Sequence, residues 1–226
     1  MSINLTIDFD FDAFEAEVYA AARAVFAKLQ NDRPDELFYT FNFCTGDVMQ
    51  EVYIYVNTEE ELDHFARSEL QRDDRYLDVP FEDFRTYWRY QPSSLMLIYN
   101  KSEAEFAKRF AKANDLLWSL KSQIEEMEDE LLNDEEVDED DYYEALFETV
   151  YEPIEERLNS VLLRLDNEGA FEITNTRGNI HLGVMQSNWD YDMLPGPFED
   201  INPAESCRRY EQDAAVFQRV GAAIFG

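Results

Sequence analysis

Cations are scarce in this chain: 19 Lys and Arg stand against 50 Asp and Glu over 226 residues, for a formal net charge of −31. Phosphate binding needs Lys and Arg to displace counterions, so a surface this negative repels nucleic acid and anionic lipid. Histidine and cysteine are scarcer still, two of each and dispersed, so no zinc-binding spacing exists. Cys44 and Cys207 are too few for a disulfide framework, which fits a reducing compartment and leaves open only a single long-range bridge. The seven glycines are scattered, and none of them builds a phosphate-cradling loop. No apolar run approaches the roughly 20 residues of a membrane span. Met1 to Leu5 also lacks a basic region followed by an apolar one, so the expectation is a soluble, cytoplasmic protein.

Apolar and aromatic residues are abundant. Hydrophobic residues make up 45% of the chain, with 17 Phe, 13 Tyr and 3 Trp. Disordered acidic tails are poor in aromatics, so this chain should fold around a sizeable core. No internal repeat or Gly/Ser linker marks a boundary, and a single domain over 1–226 is expected.

Apolar positions at Phe11, Phe14, Val18, Ala22, Val25 and Leu29, three and four apart, predict a helix over about 10–31. Two aromatic, β-branched runs follow, at 37–43 and 52–56, and read as paired strands with one face on the core and one partly wet. Thr58 and Glu61 have capping-box spacing, so a helix should start near 59. The run 84–90, with Phe84, Tyr87, Trp88 and Tyr90, reads as another strand. Ser102 and Glu105 form a second capping box, followed by a seam from Phe106 to Leu131 in steps of four and three. A further helix carries Tyr143, Phe147, Val150, Ile154, Leu158, Val161 and Leu165, with a kink expected at Pro153. Joined through an acidic connection at 133–141, the two long helices should form an antiparallel, insertion-like hairpin over about 102–168. Gly169 falls where a helix C-cap is expected. Runs at 170–174 and 179–185 read as a β-hairpin, and a helix from about 203 to 224 closes the chain. The expected class is α+β: a mainly antiparallel sheet packed by helices, with a long acidic helical hairpin.

The order of a leading helix, the strand Phe38-Tyr39-Thr40-Phe41, a second strand ending in Asn57-Thr58-Glu59-Glu60, the run Tyr87-Trp88-Arg89-Tyr90, and a long helix ending in Asp166-Asn167-Glu168-Gly169-Ala170-Phe171 is distinctive. It resembles an uncharacterised bacterial domain-of-unknown-function family associated with immunity proteins of polymorphic toxin systems. The resemblance spans about residues 10 to 218, and Asn57-Thr58-Glu59-Glu60 is its most specific piece. It implies no catalytic residues and points to a toxin as partner. The enlarged acidic segment around 122–142 departs from the family's usual pattern.

Catalytic constellations are absent from the spacing. His64 reads as a surface residue and His181 as a sheet position, while Cys44 beside Thr45 and Gly46 reads as a buried thiol; nothing places it against His181 as nucleophile and base. The run from Asp134 to Asp141 offers oxygen ligands but lacks the sixth-position Gly and twelfth-position Glu of an EF-hand. No metal, cofactor or catalytic residue is expected, and the protein is read as a non-enzyme.

What stands out is the field between Lys121 and Arg157, 35 residues with 17 acids and no Lys or Arg. Charge runs are commonly solvated faces that serve solubility. Like charges three or four apart nevertheless cost a helix a few tenths of a kcal/mol per pair, roughly, so a long uncompensated acidic face is kept at some expense. The candidate partner-binding residues are therefore Glu125, Glu126 and Asp129, then Asp134, Glu135 and Glu136, then Asp138, Glu139, Asp140 and Asp141, with Tyr142 as an aromatic anchor. The loop carrying Trp189 and Tyr191 is a second candidate surface. The expected partner is a basic protein, a toxin such as a nuclease, with no direct nucleic acid or membrane contact. A DNA mimic or anti-defence protein occupying a host enzyme's nucleic-acid site is the alternative.

Overall fold

The computed structural model describes residues 3, 5–46, 50–76, 78–89, 91, 97–132, 137–172, 177–186 and 198–225. Helix α1 (Phe11–Asp32) begins where the Asp10 carboxylate accepts the Ala13 amide, and it buries Phe14, Val18, Ala22, Val25, Phe26 and Leu29, the stripe its period predicts. Strands β1 (Phe38–Thr45) and β2 (Val52–Thr58) pair antiparallel, with Phe41 opposite Val56 and Phe43 opposite Ile54. Helix α2 (Glu59–Arg72) starts at Thr58, whose hydroxyl accepts the Glu61 amide at 3.3 Å. The reciprocal half of the capping box is not made: the Thr58 amide donates to Asn57 Oδ1, and the Glu61 carboxylate instead takes Lys101 and Arg33.

The run read as a third strand is helix α3 (Phe81–Arg89). In helical spacing Phe84 and Trp88 share one side while Arg85 and Arg89 share another, and both sides find partners. Aromatic content alone favoured a strand; the partners override it. Helix α4 (Leu97–Leu131) starts before Ser102, which therefore lies inside the helix and not at its cap.

Helix α5 (Glu139–Leu146) runs through a π-helical turn (Phe147–Tyr151) into α6 (Glu152–Asn167). The expected kink is thus a widened turn just before Pro153, which has no amide to donate. The turn also moves the seam. The buried residues are Tyr142, Leu146, Val150, Ile154 and Leu158, each four apart, so Tyr143 and Phe147 sit one residue off the buried stripe and are exposed. A spacing of four drifts around an α-helix with 3.6 residues per turn, and the extra residue of a π turn absorbs the drift.

The acidic hairpin is not what packs here. Helix α4 lies against α1 and β2, and α6 lies against α1. Their buried stripes belong to the same core as the sheet. The acidic connection falls partly at 133–136, outside the described residues.

Helix α6 ends in the way expected of Gly169, which adopts φ +75°. Its amide bonds the Asp166 carbonyl and the Ala170 amide bonds the Leu165 carbonyl, the paired closure of a Schellman motif. The chain beyond it does not form the expected hairpin. Phe171 packs on Phe26 and Phe41, residues 173–176 lie outside the described residues, and β3 (His181–Gln186) pairs parallel to β1. The sheet, in the order β2-β1-β3, is therefore mixed and small instead of mainly antiparallel. Asn202, between the short helix α7 (Phe198–Ile201) and α8 (Ala204–Phe225), completes the free side of β3. Its Oδ1 accepts the Leu182 amide at 2.9 Å and its Nδ2 donates to the Leu182 carbonyl at 2.7 Å.

Both faces of the sheet are covered, so neither is wet. Phe38, Phe41, Phe43, Ile54, Val56, Leu182 and Val184 share one core with α1, α4 and α6 on one side. On the other, Tyr39, Tyr55, His181 and Met185 lie under α2, α3 and α8, with Trp88 packed on that cluster, Arg89 over the Tyr39 ring, and Tyr210 stacked on His181. Thr40, Asn42, Thr45, Asn57 and Thr58 are buried; Asn42 Nδ2 donates to Thr40 Oγ1 and Asn57 Nδ2 donates to Tyr39 Oη. Among the described residues no helix is long and apolar enough to cross a membrane.

Candidate functional site

The acidic face lies at the C-terminal turns of α4 and the start of α5. Glu125, Glu126 and Asp129 are exposed on α4. Asp138 caps α5 by accepting the Asp140 amide, and Glu139 and Asp140 are exposed in its first turn, with Asp141 half-buried. Negative charge suits that turn, since helix amides point outward there. Tyr143 Oη of α5 donates to Glu128 of α4 at 3.0 Å. Lys121 stands at the edge of the face, 3.3 Å from Glu125.

Tyr142 does not belong to this surface. It is wholly buried in the core, and burial pushes its phenol up to about 12. The exposed aromatics of α5 and its π turn are its neighbour Tyr143 and Phe147, the residues that the π turn releases from the seam. Asp134, Glu135, Glu136, Trp189 and Tyr191 lie outside the described residues.

A second cluster surrounds Glu59, the first residue of α2. Arg89, only 3% exposed, grips its carboxylate with both terminal nitrogens at 2.9 and 2.8 Å. Arg85 bonds Glu59 and Asp63, Arg209 of α8 approaches Glu59 at 3.4 Å, and Asp213 stands 3.6 Å from Arg89. The Arg89 guanidinium also lies 4.7 Å above the Tyr39 ring. Burial opposes ionisation of Glu59, but Arg89 and then Arg85 outweigh it and hold the carboxyl below its usual range. Arginines and acids balance here, so the cluster joins α2, α3 and α8 over the sheet. Sequence reasoning missed it because Arg85 and Arg89 were assigned to a strand; a helical reading would have placed them one turn apart.

The imagined Cys44–His181 pair is excluded by register. Thr40 is opposite His181 and Cys44 is opposite Met185, four residues further along. At strand rise that separates the two by about 13 Å. Burial, with Arg177 adding to it, drives the His181 imidazole down to about 3, so it is neutral and stacked on Tyr210. Both cysteines are free thiols, and Cys44 is buried. Exposed His64 lies on α2. Among the described residues no group of three or more His, Cys, Asp or Glu is arranged to hold a metal ion.

The profile of a domain of unknown function, DUF4303, matches residues 18–194. The chain belongs to the DUF4303 family. Comparison with curated proteins and with solved structures returned no match. The DUF4303 segment takes in most of α1, the whole sheet, both long helices and the acidic face. Arg209 and Asp213 reach the Glu59 cluster from α8, beyond that segment.

Proposed function

We propose that this DUF4303 chain is a non-catalytic inhibitory binding protein, an immunity protein that neutralises a basic protein toxin through the acidic face of α4 and α5. The observation that carries this reading is the run of 17 acids without a Lys or Arg between Lys121 and Arg157. Its described part is largely solvent-exposed on the last turns of α4 and the start of α5, where Tyr143 bonds Glu128. Opposite potentials speed association by one to three orders of magnitude, roughly, and the gain fades with salt. A cytoplasmic partner with a basic phosphate-binding cleft, such as a nuclease, has the complementary surface. Neutralisation is stoichiometric occlusion, and no cofactor takes part.

The experiment is affinity capture from lysate of the native source, washed at low and then high salt, with mass spectrometry of the retained proteins. A single basic protein in near-equal amount supports the reading. Several nucleic-acid enzymes lost together at high salt, and displaced by added DNA, favour a mimic of nucleic acid. No partner in either wash overturns both.

A further inference from the structure

Two large aromatic side chains stand in solvent within the acidic face: Tyr143 is 43% exposed and Phe147 is 49% exposed. They are four residues apart, Tyr143 in α5 and Phe147 at the first position of the π turn that follows it. Continued α-helical spacing from the lower half of the helix would bury both, because they fall in phase with Val150, Ile154, Leu158, Val161 and Leu165. The π turn at 147–151 puts Tyr142 and Leu146 inside instead and leaves Tyr143 and Phe147 outside. Such turns are rare and concentrate at functional sites.

The surroundings are anionic. Glu139 lies one turn before Tyr143, and Glu128 holds its hydroxyl. Glu144 and Glu148 are exposed beside the pair. A second copy of this chain would bring a matching ring of carboxylates against these and be repelled. Nucleic acid would be repelled in the same way.

We infer that Tyr143 and Phe147 are the apolar anchor of the docking surface, and that its occupant is a cationic amphipathic segment of a partner protein. An apolar side chain of that segment packs on the two rings, and its Lys or Arg residues reach the surrounding carboxylates. This rests on the acidic-surface reading above and deepens it: the partner is read by shape and burial at the centre and by charge at the rim. A mimic of nucleic acid would need the carboxylates alone.

The test uses the whole chain and two fluorescent 18-residue peptides of equal charge, one of Lys and Leu in amphipathic helical order and one with Ser for every Leu. Binding is followed by anisotropy at low and physiological salt. Fold is monitored by circular dichroism, which Tyr143→Ala/Phe147→Ala should leave unchanged because both side chains are exposed. The Leu peptide should bind at least tenfold more tightly than the Ser peptide. That advantage should vanish in Y143A/F147A and survive in a control, Leu163→Ala, an exposed apolar residue of α6. Equal binding of the two peptides with strong salt dependence would leave the acidic surface standing and overturn the anchor. Failure of both peptides to bind at low salt would overturn the anchor and the charge-attraction reading together. A concentration-dependent dimer that dissociates in Y143A/F147A, seen by sedimentation, would assign the patch to self-association and overturn the proposal.

Discussion

Glu59 and Arg89 carry the most consequential single contact on the polar side of the sheet. Removing one partner of a buried ion pair leaves the other charge uncompensated and costs about 3–5 kcal/mol. Arg89→Ala should lower stability by that order in urea unfolding, and Arg89→Lys should recover only part of it, since an ammonium cannot grip both carboxylate oxygens. Acid should act through the same residues. The folded-state pKa of Glu59 lies below its ordinary 4.5, so its contribution is present above that pH and is lost as pH falls through the folded value. His181 acts in the same direction and earlier. Its folded pKa of about 3 lies under the ordinary 6.5, so the unfolded chain takes up the proton first as pH drops. Stability should fall by up to about 1.4 kcal/mol per pH unit between those values. Urea midpoints between pH 7 and 4.5 should decline more steeply for the native chain than for His181→Gln; parallel slopes would show that the imidazole is not held neutral.

At the scale of elements, the π turn makes a sharp prediction about neighbouring tyrosines. Tyr142→Ala should cost about 3–5 kcal/mol as a core truncation, whereas Tyr143→Ala should lie within about 0.5 kcal/mol of the native chain. The reverse order in thermal unfolding would restore the uninterrupted heptad register. That register illustrates what was legible in the sequence and what was not. Helix α1, the Thr58 start of α2, the β1–β2 pair, the Gly169 stop and the final helix rest on local signals: a period, a cap hydroxyl, a turn, a positive φ. The α5–α6 stripe failed by one residue, because steps of four and steps of four and three differ only over several turns. Helix α3 was misread because aromatic and arginine-rich runs suit a strand or a helix until their partners are known, and Glu59 is 30 residues from Arg89. The parallel pairing of β3 with β1 spans some 140 residues and leaves no local trace. Polar strand positions looked wet for the same reason: Arg89, Tyr210 and Asn202, which cover or cap them, come from elsewhere in the chain. Of the candidate surface residues, the acids stand out by charge alone, while the burial of Tyr142 and the exposure of Tyr143 and Phe147 required the register.

The whole molecule carries −31 charges, and salt should act on it in two opposing ways. Screening weakens self-repulsion within the fold, so the thermal midpoint of the isolated chain should rise between about 0.01 and 0.15 M salt, where the Debye length shrinks from about 30 to 8 Å. The same screening should weaken the proposed complex with a basic partner. A protein whose acids serve solubility alone would show the first effect without the second. The measurement that bears most directly on the acidic face is isothermal titration of the captured basic partner into the native chain and into a variant with Glu125, Glu126, Asp129, Asp138, Glu139 and Asp140 all changed to Lys. One-to-one binding that weakens at least a hundredfold in the variant, and also with added salt in the native chain, is the expected result. Equal affinity for both chains would place the contact elsewhere and contradict the assignment.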